Sequence, residues 1–236
     1  MTRGGYLMQL GQVPYQEAWD LQRSLAGAVS QGAIPDTVVF LEHPPVVTLG
    51  RRTEAAELHI PDDAEVEIVE TNRGGKSTFH GPGQLVCYPI LDLKRHGRDV
   101  KEYVRMLEQA LIRTVAPFGL EAECIDGLTG VWLTQPPRKL ASIGVHVSRW
   151  VTTHGYALNV DLDPAPFTDW ITACGLDDAT FTTITREAGR PVTVDEVRPH
   201  AVAAFEAVFD LELEPLPMED GAGLWAQPVH ASLSTR

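Results

Sequence analysis

Twelve consecutive residues constrain this chain more than any others: Arg73-Gly74-Gly75-Lys76-Ser77-Thr78-Phe79-His80-Gly81-Pro82-Gly83-Gln84, four glycines and a proline among polar side chains. Glycine admits positive φ and lets backbone come close to a bound group, while Arg73, Lys76, Thr78, His80 and Gln84 supply donors and one titratable ring. Residues 67–71 before the run read as a short strand and residues 84–91 after it as a buried one, so the run is held at both ends by sheet. It matches neither GxGxxG nor GxxxxGK[ST], which removes dinucleotide and P-loop readings. An ordinary Gly/Pro surface loop stays open as the alternative for the run taken alone.

The pattern around the run sets the fold class. Residues 15–29 place Ala18, Leu21, Leu25, Ala28 and Val29 on one helical stripe, and residues 36–50 are β-rich but broken by His43-Pro44-Pro45. The clearest helix spans 100–118, with Val100, Tyr103, Val104, Leu107, Leu111, Val115 and Phe118 on one face, Asp99 as cap and Gly119 as stop. Short strands are predicted at 120–125 and 130–134, and longer ones at 139–147 and 150–160 with Ser148-Arg149 turning between them. A further capped helix begins near Thr193. Strands that come in adjacent pairs as well as alternating with helices favour an α/β protein with a mixed sheet flanked by helices over a doubly wound one. One domain over 1–214 is expected, followed at 215–236 by a Pro-rich acidic tail that is poorly ordered or pinned only by Trp225.

The chain carries a net charge of −13, which argues against nucleic acid or an anionic membrane as partner. The charge is uneven: residues 54–70 hold seven acids and no Lys or Arg, whereas residues 71–105 hold seven Lys or Arg against three acids. A basic surface kept beside the glycine run suits a negative ligand, with ordinary surface fluctuation as the other reading. Three widely spaced cysteines, Cys87, Cys124 and Cys174, indicate neither a disulfide framework nor a CxxC metal site. With no apolar leader and no membrane-length apolar window, a cytoplasmic, non-membrane protein is expected.

Cys174, in Thr172-Ala173-Cys174-Gly175-Leu176, is the candidate nucleophile; an inert loop thiol is the alternative. Cys87 and Cys124 stand in apolar strand patterns and read as small buried hydrophobes. A thiol attacks as thiolate, so it needs a cation beside it. Lys139 opens the apolar strand Leu140-Ala141-Ser142-Ile143-Gly144-Val145 and would place an ammonium at the sheet's end; a solvated strand-end lysine is the alternative. His80, His146 and His154 fit no metal-ligand spacing, and His146 and His154 are expected to face each other across a hairpin. No GxSxG nucleophile elbow occurs.

Three segments taken together, RGGKSTFHGPGQLVCYPI at 73–90, KLASIGVHVSRWVTTHGYALNV at 139–160 and ACGL around Cys174, closely resemble the lipoyl (octanoyl) transferase family over about residues 5–210. The resemblance implies the catalytic-domain fold of biotin and lipoate protein ligases, and transfer of an octanoyl group from octanoyl-acyl carrier protein to a lysine of a lipoyl domain. The acceptors it implies are the 2-oxoacid dehydrogenases and the glycine cleavage H protein. It places the acyl-thioester nucleophile on Cys174 and the lysine that lowers its pKa on Lys139. Substrate contacts fall on Arg73, Gly74, Gly75, Lys76, Ser77, Thr78, Phe79 and His80, on Ser142, Ile143 and Gly144, and on Gly155, Tyr156 and Ala157. No metal and no cofactor are implied, and a monomer is expected. Two positions depart from the family pattern: Ala173 where proline is common and Lys76 where glutamine is usual. The alternatives are an ATP-dependent lipoate or biotin protein ligase, whose nucleotide loop the glycine run does not match, and a noncatalytic acyl-binding protein.

Overall fold

Val38 and Phe40 pack into one hydrophobic core while Val39 and Leu41, their immediate neighbours, pack into another. Alternation across a pleat explains this, and a run apolar at every position is what a strand covered on both faces requires. The computed structural model describes residues 2–171 and 180–217. In chain order it runs β1 (Arg3–Gln12), α1 (Tyr15–Gln31), β2 (Thr37–Glu42), β3 (Val46–Leu49), β4 (Glu67–Glu70), β5 (Thr78–His80), β6 (Gln84–Ile90) and α2 (Val100–Val115). It continues through β7 (Glu123–Ile125), β8 (Leu128–Thr134), β9 (Pro137–Ser148), β10 (Val151–Asn159), α3 (Pro166–Asp169), β11 (Thr180–Phe181), α4 (Ile184–Ala188), α5 (Val194–Phe209) and β12 (Leu211–Pro215).

Among the described residues nine strands form one mixed sheet in the order β12-β1-β2-β6-β10-β9-β8-β7, with β11 lying beside the start of β9. The β12–β1, β1–β2 and β11–β9 pairs are parallel and the others antiparallel. On one face α2 and α5 bury Leu107, Leu111, Phe205 and Phe209 against the sheet; on the other α1 buries Leu21, Leu25 and Val29. A second sheet, β4-β3-β5, sits over a third cluster in which Phe167 stacks on Phe181 with ring centroids 4.3 Å apart. The expected mixed sheet flanked by helices is what forms.

The helix ends follow the sequence signals. Asp99 accepts from the backbone N–H groups of Lys101 and Glu102, Gly119 turns the chain at φ 77°, and Thr193 accepts from the N–H of Glu196. Other details differ from expectation. β1 was not anticipated; it gains its place by pairing on both edges, with β2 and β12. The hairpin between β9 and β10 turns at Arg149-Trp150 rather than Ser148-Arg149, because Ser148 pairs with Val151 and both turn residues take the positive φ of a type I′ turn. That register sets His146 opposite Thr153, so His146 and His154 do not face each other. Cys124 is exposed, not a buried hydrophobe, since β7 is a short edge strand, and Val100 is 38% exposed at the start of its helix. No helix among the described residues is long and apolar enough to cross a membrane.

Candidate active site

The glycine run is half loop and half strand. Residues 78–80 pair with β3 as β5, and alternation sends Thr78 and His80 to one side and Phe79 to the other. The loop half is clamped by backbone: Gly74 N–H donates to the Val145 carbonyl of β9, Arg51 N–H to the Arg73 carbonyl and Arg52 N–H to the Gly75 carbonyl.

Arg73 locks this arrangement from inside. Its side chain is buried, and its five N–H groups make five contacts: Nε and Nη2 to the Thr48 hydroxyl at 3.2 and 2.8 Å, Nη2 to the Thr48 carbonyl at 2.6 Å, and Nη1 to the carbonyls of Gly74 and Lys76 at 3.1 and 2.7 Å. Burial lowers the guanidinium's pKa, and the neighbouring Tyr15 and Tyr88 oppose that shift. A buried cation with every donor engaged is a structural staple, so what Arg73 presents to a ligand is its field rather than a free N–H. Lys76 is likewise engaged, in an ion pair with Glu57. Of the basic surface that the sequence sets beside the glycine run, these two cations are already matched within the protein.

Beneath the run lies a cavity of about 390 Å³. Arg73, Gly74, Gly75, Lys76, Ser77, Thr78 and His80 form its roof; Ser142, Ile143 and Gly144 of β9 and Gly155, Tyr156 and Ala157 of β10 form its floor. Phe79 stands outside, edge-on to Phe167 and Trp170 in the third core. The apolar part of the wall comes from Val86, Val104, Leu128, Ile143 and Ala157. The Ser77 hydroxyl and the Trp132 indole N–H are buried without a hydrogen-bond partner among the described residues, and both residues line the cavity. Unsatisfied buried donors in a cavity wall are groups that a polar ligand atom can satisfy.

Lys139 also lines the cavity, on the part of β9 flanked by β8 and β11, where it pairs with Trp132 on one side and Phe181 on the other. It is 5% exposed, and its ammonium lies 5.1 Å from the Trp132 ring centroid, within cation–π range. This is a buried lysine, not a solvated strand-end one. Gly130 makes room for it: a Cβ there would come 2.9 Å from Lys139 Cε and collide with the Ala141 carbonyl, and its φ of 121° suits glycine alone. Gly155 has a comparable reason to be glycine, since a Cβ would meet the Cys87 carbonyl and lie 2.6 Å from Pro89 Cδ.

Tyr15, His80, Tyr88 and His154 line one side of the cavity, and His43 packs against three of these rings. His43 donates from Nδ1 to the Val13 carbonyl at 2.6 Å, so its Nε2 accepts from the Tyr88 hydroxyl at 2.7 Å. His154 bridges Tyr15 at 3.3 Å and Asn72 at 2.7 Å. Burial pushes His43 down to about 4 and His154 down to about 3, the latter helped by the charges of Arg73 and His146; it holds His80 well below the usual imidazole range and raises Tyr15 to about 12. Around Arg73 these rings are thus neutral.

Of the residues singled out in sequence, Lys139 and thirteen of the fourteen substrate-contact positions meet at this one cavity; Phe79 does not. Cys174 lies outside the described residues. Tyr15, Tyr88, Val104, Leu128 and Trp132 line the cavity but were not singled out. Helical or strand periodicity marks most of them only as core, and the cavity side of a core cannot be told from its packed side by period alone.

Comparison with solved structures places the fold among lipoate and biotin protein ligases. A bipartite lipoate protein ligase from Thermoplasma acidophilum superposes with TM-score 0.73 at 16% identity, covering 94% of this chain and 91% of that one. Biotin protein ligase from Aquifex aeolicus, in complex with biotin and ATP, gives 0.54 at 12% identity over 86% and 70%. At such identities these likenesses bear on fold alone. The family model described as lipoyl protein ligase A/B catalytic domain matches residues 14–206. The chain belongs to that family. Among curated proteins the octanoyltransferase of Mycobacterium tuberculosis is 53% identical over 204 residues, 86% of each chain, and that of Mycobacterium ulcerans 47% identical over 232 residues, 94% of each. The chain is an acyltransferase, as the sequence resemblance implies.

Proposed function

We propose that the protein moves an octanoyl group from acyl carrier protein to a lysine of a lipoyl domain by double displacement through Cys174. The Cys174 thiolate attacks the thioester carbonyl carbon of the donor. The bond to the pantetheine sulfur breaks with its electron pair, and that sulfur leaves as a thiol once protonated. The acceptor amine then attacks the acyl-enzyme, the carbon–Sγ bond breaks, and an amide forms as the amine gives up a proton. Lys139 supplies positive charge for the thiolate, gives a proton to the departing pantetheine sulfur, and as the neutral amine then takes the proton that the acceptor amine gives up. Thioester to amide is downhill, so the cycle needs no nucleotide.

The observation that carries this reading is the cavity: apolar over part of its wall, with the buried ammonium of Lys139 and the open donors of Ser77 and Trp132 over another part. Seven carbons beyond the carbonyl, each contributing about 0.8 kcal/mol on burial, give an octanoyl chain roughly 6 kcal/mol of binding in such a wall. Within the same proposal, residues 1–214 act as one catalytic domain, monomeric and cytoplasmic, with 2-oxoacid dehydrogenase lipoyl domains and the glycine cleavage H protein as acceptors. The test is to mix the purified chain with octanoyl-acyl carrier protein and an unmodified lipoyl domain in the absence of nucleotide, and to weigh the acceptor. An octanoylated lysine is expected. Modification that requires ATP and free octanoate instead would reassign the protein as a ligase.

A further inference from the structure

One hydrogen-bonded chain runs from the cavity wall at His80 to the strand of Lys139, and its polarity is fixed at both ends. The Lys139 carbonyl accepts from Thr182 N–H at 3.0 Å. The Thr182 carbonyl, able only to accept, takes the Asn159 amide N–H at 3.1 Å, which leaves Asn159 Oδ1 to accept from Gln84 Nε2 at 2.9 Å. Gln84 Oε1 must then accept, and its partner is His80 Nδ1 at 2.7 Å. At the other end the Thr48 hydroxyl already accepts two N–H groups from Arg73, so its own proton points away from the guanidinium, toward His80 Nε2 at 3.5 Å. A single assignment satisfies every member: His80 carries its proton on Nδ1 and accepts at Nε2. Gln84, Asn159, Thr48 and Thr182 are all buried, where a polar group left without its partner is costly.

We infer that His80 is a positioning residue, whose Nδ1–H on Gln84 and Nε2 lone pair toward Thr48 tie the Arg73 end of the glycine run to the Thr182 carbonyl and so to the strand that holds Lys139. Its ring belongs to the cavity wall, but both nitrogens face protein, so it sets the relative place of roof and lysine rather than bonding the acyl donor. Burial, with the charge of Arg73 acting the same way and the hydrogen bond to Gln84 opposing it, keeps the ring neutral, as the chain requires. A ring protonated on both nitrogens would turn an N–H on the Thr48 hydroxyl and add a second buried cation beside Arg73.

The kinetic half of the test rests on octanoyl transfer being the reaction; the spectroscopic half does not. In a long-range proton–nitrogen spectrum of the full chain, with assignment by loss of signal in His80→Asn, the His80 ring should appear as the Nδ1–H tautomer at neutral pH. The Nε2–H tautomer or an imidazolium overturns the inference whether or not the wild type transfers octanoate. In single-turnover and steady-state assays, His80→Ala should lower kcat about 100-fold, the scale of a misplacement of about 1 Å, with donor KM unchanged. His80→Asn keeps a donor near the Nδ1 position and should recover most of that loss. Thr48→Val, which removes the other leg together with an acceptor of two Arg73 N–H groups, should lower kcat too, and the double variant should be no worse than the worse single one. A rise in donor KM at constant kcat, equal losses in His80→Ala and His80→Asn, or full additivity with Thr48→Val would each contradict the positioning role.

Discussion

The ammonium of Lys139 stands 5.1 Å from the ring centroid of Trp132, its direct cross-strand partner, in a wall where the lysine is 5% exposed and the indole 1%. A cation held there is partly desolvated, and the ring face compensates by about 0.5–2 kcal/mol. Trp132→Phe keeps an aromatic face with a weaker field and should lower the acyl-transfer rate by less than about 30-fold, the kinetic equivalent of losing the whole contact at its upper bound. Trp132→Ala should also reduce unfolding free energy in urea by about 3–5 kcal/mol, because it empties a buried indole site. A Trp132→Ala protein with wild-type stability and rate would show that the contact does nothing.

Gly130 is the second support of that lysine. In Gly130→Ala the new methyl meets Lys139 Cε and the Ala141 carbonyl at a φ that L-residues rarely adopt. The variant should lose more than about 1 kcal/mol of stability and, by displacing the ammonium, on the order of 100-fold in rate. Equilibrium unfolding and single-turnover kinetics on the same preparation check both.

The buried histidines make stability depend on pH with a definite sign. His43 and His154 have native pKa values near 4 and 3, below the unfolded value of about 6.5, so below pH 6.5 the unfolded chain binds protons that the native one refuses. Their effect is absent above about pH 6.5, grows as pH falls, and for His43 levels off below its native pKa. The slope should approach roughly 1.4 kcal/mol per pH unit for each such histidine. Urea unfolding at pH 7.5, 6.5 and 5.5 should give a plateau and then a fall, and His43→Gln should flatten the fall. Unchanged stability down to pH 5.5 would contradict the neutral cluster.

Lys76 pairs with Glu57, whose hydrogen bond to it raises the lysine's pKa. A cation already matched by its own neighbour adds little to the capture of an acidic carrier protein. Lys76→Gln should leave donor KM and its salt dependence as in the wild type, measured from 50 to 300 mM salt on the order of the screening range. A raised KM with a flattened salt response would mean that Lys76 leaves Glu57 to meet the donor.

The fold was legible where burial leaves a period. Leu107, Leu111, Phe205 and the capping residues Asp99 and Thr193 announce α2 and α5, and the apolar runs at 37–41 and 85–91 announce the central strands. β1 was not legible, because Gly4, Gly5 and a half-buried mixed sequence carry no clean alternation and the strand depends on partners at 37–42 and 211–215. The turn at Arg149-Trp150 escaped for a related reason: neither residue advertises positive φ, and the register is set by the pairing of β9 with β10. Glycine content marked the run at 73–84 as backbone that can come close to a bound group, but not the inward lock of Arg73 on Thr48, since a charged residue among glycines reads as ligand-facing until its five acceptor contacts are known.

The most direct measurement for the whole account is peptide mass spectrometry of the chain after brief incubation with octanoyl-acyl carrier protein and no acceptor. Wild type should carry one octanoyl group on Cys174 as a hydroxylamine-labile thioester, lost when a lipoyl domain is added, and Cys174→Ala should carry none. Equal labelling of Cys174→Ala, or label on any residue other than Cys174, would contradict the double displacement.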